Sequence, residues 1–554
     1  MEFKPLPIGI ENFEKMIKQG YYYVDKTLFL KELIDKKSQV NLFARPRRFG
    51  KTLCLSMVRY FFEKGGDASL FDGLKIIDAG EKYTSEMGKY PVISISLKDV
   101  EGREYDRAMG LLRLEIRREF RRHKYLLKSD SIDEDQKADF DRIMKDQASD
   151  DDFATSLKLL TQCLEQHHKA KVVVLIDEYD VPIEKAYTNG YYDEMVETIR
   201  TMFHSTLKTN DAVNFAVVTG CLRVSKESIF TGFNNPKIIT IVSDAYGEYF
   251  GLTDGEVSDA FRYYGMESRL EEARRWYNGY IFGDTNVYNP WSIINFLFEL
   301  YENPLSYPLS YWANTSSNGI IRELAEIADD GAKEEIEELI RGGSITKPIY
   351  EDVVYSEIRT DMNNLWNFLF FTGYLRKKGE TFEGNQKYFE LVIPNLEVLT
   401  IFERKIREWF TDQVKKADVD RMYNAILSSD AQVFKEELSA MLAETISYYD
   451  SQENFYHGFL TGVLSRMKRC RVKSNRESGN GRGDIFILPV SIEMTAVIIE
   501  VKAASVPFAL EKMSIEALRQ IDEMKYGEEM KQLGYNNIIK YGIAFYRKDC
   551  KVSV

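Results

Sequence analysis

The chain has 554 residues, 44% of them hydrophobic and 29% charged, and a formal net charge of −13; that is too long for one hydrophobic core and implies about three or four soluble globular domains. The acidity excludes binding of nucleic acid over the whole surface, so any such contact needs a local basic patch. The five cysteines (Cys54, Cys163, Cys221, Cys470 and Cys550) are scattered without a CxxC pair, which excludes a disulfide framework or cysteine–zinc site; with no signal-like start and no apolar stretch near the ~20 residues that cross a bilayer, a cytoplasmic protein with no membrane partner is expected.

In chain order, residues 40–44 read as a short buried strand, followed by a basic loop and an amphipathic helix over 51–62. Residues 92–97 form a second strand candidate, and 104–168 are mainly helical with an acidic section near 129–152. Residues 171–176 are almost wholly apolar, as in a strand covered on both faces, and 213–219 and 237–242 look similar. Strands separated by helices predict a parallel α/β sheet. From about residue 251 the pattern is helical through 343. A helix near 363–372 and strands at 374–378 and 388–393 suggest a winged-helix-like unit. Helices over 395–449 lead to a last unit of helix (453–467), strands (near 471, 484–488, 496–501), helix (510–525) and strand (538–545).

The segment Arg45-Pro46-Arg47-Arg48-Phe49-Gly50-Lys51-Thr52 lies between a strand and a helix, the setting a phosphate-binding loop needs. Gly50 lets the backbone approach phosphate, Lys51 reaches the β- and γ-phosphates and the Thr52 hydroxyl holds magnesium. Arg47, Arg48 and Phe49 complete the expected nucleotide-binding loop; Arg45 stands where such loops usually begin with glycine. Downstream, the apolar run to Ile176 ends in Asp177-Glu178. Asp177 is expected to hold magnesium through water and Glu178 to orient the attacking water. A further strand ends at Thr219, a candidate sensor of the terminal phosphate, with Arg223 close behind. An acidic turn after a core strand is the plain structural alternative for Asp177-Glu178, and a strand-ending turn for the other pair.

In the last unit Asp484 opens one strand, and Glu500 and Lys502 close the next on a shared face. Two carboxylates are hard ligands suited to magnesium or manganese, and a lysine can activate water and stabilise charge on phosphate. The pattern alone is weak, because strands often end in charged residues. Its setting strengthens it: an open glycine-rich loop precedes Asp484, and Arg466, Lys468, Arg469, Arg471, Lys473, Arg476 and Arg482 make the region basic, which suits a polyanion. Such a run usually means a solvated helix end. Glu453 on the preceding helix is expected as a further metal ligand, with Glu477 as its competitor. His457, four residues on, is more often a structural group, and Gln520 is read as an ordinary helix-surface glutamine, or one that steadies Lys502 or touches a phosphate.

These motifs, with LPIG at 6–9, YVDKT at 23–27, WYNGY at 276–280, YNPWS at 288–292, YWANTS at 311–316, FTGY at 371–374, IPN at 393–395, YHGF at 456–459 and SNRESGNGRGD at 474–484, give a chain that resembles the bacterial and archaeal family joining an AAA-ATPase-like domain to a PD-(D/E)XK nuclease-superfamily domain. In that family the loop looks like RPRRFGK[ST], so Arg45 fits it. The resemblance implies an additional-strand P-loop sheet flanked by helices, a helical lid and winged-helix-like middle, and a restriction-endonuclease-like α/β domain. The expected divisions are 1–250, 251–345, 346–435 and 436–554. It also implies the triad Asp484, Glu500 and Lys502. The expected activity is ATP-coupled, metal-dependent cleavage of nucleic acid, most naturally DNA, with room for a homo-oligomer. The alternatives are an ATP-binding switch whose nuclease-like domain binds without cleaving, and an ATPase whose winged-helix-like section recruits a partner.

Overall fold

Two stretches without polar alternation, β1 (Val40–Ala44) and β3 (Val172–Asp177), are buried along their whole length, as strands covered on both faces must be. The computed structural model describes residues 3–223, 236–312, 321, 324, 326–351, 361–416, 419–443, 453–474 and 484–554. It sets these strands with β2 (Val92–Ser96), β4 (Val213–Gly220) and β5 (Lys237–Ile239) in one sheet of order β2-β3-β4-β1-β5. Every neighbouring pair is parallel, which requires the helical crossovers of the intervening sequence. β4 lies in space between β1 and β3, so the ends of three strands, at Ala44, Asp177 and Gly220, gather at one edge. β5 stops three residues short of the 237–242 run.

The chain divides into two compact units, residues 1–317 with 346–401, and residues 318–345 with 402–554. In the first, the sheet is followed by helices Asp254–Tyr263, Leu270–Tyr277 and Pro290–Glu302. Between the last two, the expected helical pattern gives way to an antiparallel hairpin of β6 (Tyr280–Phe282) and β7 (Thr285–Val287). The run Tyr280-Ile281-Phe282 has strand-forming side chains, and Gly283 takes a left-handed φ of 57° at the turn, so local turn chemistry overrides the helical surroundings. Helix Met362–Phe371 precedes a second hairpin, β9 (Arg376–Glu383) and β10 (Gln386–Val392), which with β8 (Ile345–Pro348) forms a sheet of order β8-β10-β9.

The second unit is a mixed sheet of order β11-β12-β13-β14-β15: β11 (Cys470–Ser474), β12 (Asp484–Pro489), β13 (Ala496–Ala503), β14 (Ile538–Tyr546) and β15 (Asp549–Ser553). Only β13 and β14 run parallel. Side chains alternate between two cores. Ile485, Ile487, Val497, Ile499 and Val501 pack with Tyr456 and Leu460 of helix Glu453–Leu464, while Phe486, Leu488 and Ile498 pack with Ile521 and Tyr526 on the other face. Tyr456 stacks on Phe545 at 4.3 Å, which fixes that helix over β14. Strand β15 and helix Tyr526–Gln532 lie beyond the elements read from the sequence. All five cysteines are free thiols, and no helix among the described residues is long and apolar enough to cross a membrane.

Candidate functional site

At the edge where β1, β3 and β4 end, the loop from Arg45 to Gly50 turns into helix Lys51–Phe62. Two left-handed residues make the turn, Gly50 at φ 80° and Arg48 at φ 69°; the second is uncommon for a residue with a side chain and stores backbone strain. Lys51 is buried, and its Nζ donates to the loop carbonyls of Arg45 (3.0 Å) and Pro46 (2.9 Å). The Thr52 hydroxyl donates to Asp177 Oδ2 at 2.8 Å, and the Thr219 hydroxyl donates to Asp177 Oδ1. Thr219 Oγ1 also receives the Glu178 N–H at 3.4 Å. Thr52, Asp177 and Thr219, from three separate elements, thus form one hydrogen-bonded network in which the Asp177 carboxylate accepts from both hydroxyls.

Glu178 has a positive φ of 51°, and burial raises its carboxyl above the ordinary value against the pull of Lys51. Asp180, which closes the 175–180 motif, is fully buried and accepts the N–H groups of Cys221 (2.8 Å) and Leu222 (3.0 Å), clamping the end of β3 to the chain after β4. Gly220 is required there, because a Cβ would sit 2.5 Å from the Tyr179 ring. Arg223 is half-buried just beyond.

The loop's other side chains have separate attachments. Arg47 pairs with Glu184. Arg48 lies over the Trp291 ring at 4.6 Å. Phe49 is buried against Tyr280 (4.9 Å) and Phe282 (5.1 Å). Arg45 is fully buried, stacked on Phe282 at 4.7 Å and donating to the carbonyls of Thr240 and Ala245, and burial lowers its pKa to about 9. At the usual first-glycine position the chain therefore supplies only backbone, while the side chain serves the core.

Residues 47–54 line a cleft of about 420 Å³ together with Glu178, Lys98, residues 6–7, 9–11, and 22–24 with Lys26, and Trp291, Ile294 and Leu297. Leu6, Tyr22 and Val24 pack on the helical core of Leu252, Phe261, Ile293 and Leu297. Lys26 ties the same segment to helix Asp254–Tyr263 through Glu256 (2.6 Å) and to the turn before it through the Glu248 carbonyl. One wall of the cleft is apolar and the loop side is charged, as a nucleotide's base and phosphates require. The stretches at 6–9 and 23–27 carry part of this wall; their place beside the loop is invisible in sequence because they reach it only through the fold.

In the second unit the register sets Asp484 opposite Glu500 across β12 and β13. Glu500 is fully buried, and neither carboxylate oxygen has a hydrogen-bond partner among the described residues. Lys502 Nζ lies 3.7 Å from Glu500 Oε1. Glu453, at the start of helix Glu453–Leu464, accepts the Ala503 N–H and feels the Lys502 charge, while burial raises its carboxyl. A buried carboxylate without a hydrogen-bond donor is costly unless a cation meets it, although among the described residues no group of three or more His, Cys, Asp or Glu side chains is arranged to hold a metal ion. Arg466, Lys468, Arg469, Arg471 and Lys473 are all exposed. His457 is buried on the same helix as Glu453, and Gln520 is half-buried on helix Leu510–Glu523. Glu477, Arg476, Arg482 and the glycine-rich loop lie outside the described residues.

Residues 7–230 match the model of a predicted AAA-ATPase domain, and residues 451–554 match that of the PD-(D/E)XK nuclease superfamily. The chain is also 29% identical, over 84% of its length and 82% of the other's, to a protein of Azotobacter chroococcum mcd 1 described as an uncharacterized protein in the vnfD 5′ region.

Proposed function

From a chain that joins a predicted AAA-ATPase domain to a PD-(D/E)XK nuclease-superfamily domain, we propose an ATP-coupled, metal-dependent DNA nuclease. In the first unit, the backbone of Gly50 and the start of helix Lys51–Phe62 face the phosphates of ATP, and Lys51 exchanges its loop carbonyls for phosphate oxygens. Thr52 and Asp177 hold magnesium, Glu178 orients the attacking water, and Thr219 links the strand between them to the terminal phosphate. The raised carboxyl of Glu178 suits a proton acceptor working near neutrality.

In the second unit, Asp484, Glu500 and Glu453 supply oxygen ligands for magnesium or manganese. A bound ion there supplies Lewis acidity and a more acidic water. Lys502 positions that water and balances charge on the phosphate, and the exposed basic run from Arg466 to Lys473 holds the DNA backbone. The observation that carries the reading is Glu500: fully buried, with no hydrogen-bond donor to either oxygen among the described residues, and 3.7 Å from the Lys502 ammonium.

The test is a cleavage assay on linear, circular and single-stranded DNA with magnesium or manganese, with and without ATP, beside Asp484→Ala. Metal-dependent cleavage lost in the variant is expected. Absence of cleavage on every substrate moves the reading to an ATP-binding switch whose terminal domain binds without cutting.

A further inference from the structure

We propose that Lys98 contacts the terminal phosphate of a bound nucleoside triphosphate, and that Glu11 holds this lysine until that phosphate arrives; the inference rests on the nucleotide reading of the cleft. β2 ends at Ser96, but Leu97 N still donates to the Asp177 carbonyl at 2.9 Å. Backbone pairing thus carries the chain to the level of Glu178, and Lys98 follows at the strand-end edge where ligands of such sheets sit. Lys98 lines the same cleft as Lys51 and Glu178. Lys51 and Lys98 are the cations that act most strongly on the Glu178 carboxylate.

The Lys98 ammonium lies 3.0 Å from each Glu11 oxygen, in a pair 44% exposed on both sides. Ion pairs that open to water are weak and exchange readily. The other loop cations are committed more firmly: Lys51 to two carbonyls, Arg47 to Glu184 and Arg48 to the Trp291 face. A triphosphate brings one more phosphoryl group than a diphosphate, and a multiply charged oxyanion outcompetes a single carboxylate for an ammonium. Glu11 adjoins Asn12, which caps helix Phe13–Lys18, and residues 6–7 and 9–10 line the cleft. Transfer of Lys98 from Glu11 to phosphate therefore reports the nucleotide's charge to the N-terminal segment.

The experiment is calorimetric titration of the full chain with magnesium and either ADP or a non-hydrolysable ATP analogue. Wild type is compared with Lys98→Gln, Lys98→Arg and Glu11→Gln. Lys98→Gln is expected to weaken the analogue ~10-fold while ADP stays within about twofold, and Lys98→Arg to restore most of the difference. Glu11→Gln is expected to tighten the analogue ~3-fold without a matching gain for ADP. An unchanged analogue-to-ADP ratio in Lys98→Gln overturns the inference alone. Failure of wild type to bind either nucleotide overturns the cleft reading beneath it.

Discussion

Lys51 and Glu178 occupy one cleft but are held by opposite means, the lysine by backbone carbonyls and the glutamate by a strained backbone and burial. Their variants should therefore part. Lys51→Ala is expected to abolish nucleotide binding, whereas Glu178→Gln should bind normally and turn over ~100-fold more slowly. Titration and steady-state hydrolysis check the pair, and wild-type turnover in Glu178→Gln would remove its water-positioning role. Glu397 yields a different prediction. Fully buried, it accepts the Ser292 hydroxyl and the Trp312 N–H, and burial lifts its carboxyl from 4.5 to about 7. The folded state thus binds this proton more tightly than the unfolded one, so the group's stabilisation is complete below about pH 4.5 and is lost as pH rises through about 7. At about 1.4 kcal/mol per pH unit the effect approaches ~3 kcal/mol. Wild type should lose thermal stability between pH 5.5 and 8 relative to Glu397→Gln, and parallel curves for the two would refute it. The sequence marked Lys51, Thr52, Asp177 and Glu178 because a phosphate site demands those types in that order. It assigned no role to Glu397, Asp180 or Lys98, whose parts come from neighbours distant in the chain.

At the scale of elements, the strand-end edge is built by close approach. Asp180 binds two N–H groups beyond β4, and Gly220 faces Tyr179 with no space for a methyl group. Gly220→Ala should cost about 1–3 kcal/mol through overpacking, read as a lower urea midpoint; an unchanged midpoint would show that the contact relaxes freely. Regular elements were legible because their patterns are local. Helix Lys51–Phe62 and strand β1 follow the bounds read from periodicity. The β6–β7 hairpin was not, since three-residue strands carry too little alternation to stand out between two helices. Strand β15 was missed at the end of the chain, where its pairing with β14, more than its own pattern, makes it a strand.

For the molecule as a whole, the decisive property is whether one site governs the other. If nucleotide state controls cleavage, Lys51→Ala should leave the proposed metal-dependent nuclease site intact but make DNA cleavage insensitive to ATP. A rate series over ATP concentration in wild type and variant checks this, and an undiminished ATP response in Lys51→Ala would break the proposed coupling. Chelation with EDTA should stop cleavage in both proteins, because among the described residues no hydrogen-bond donor reaches either Glu500 oxygen and Lys502 stands 3.7 Å off.

The sequence by itself determined the two domain types, since an ordered series of motifs and the strand–loop–helix and strand–strand settings around them are properties of neighbouring residues. It also determined the polarity of the first sheet, because apolar runs with long crossovers admit only parallel pairing there. Only the tertiary structure decided that Val213–Gly220 separates the loop strand from the Asp177 strand, that Arg45 is buried in the core, and that residues near the N-terminus wall the cleft. Each depends on contacts between segments far apart in the chain, whose energies arise from burial and packing that no local pattern encodes.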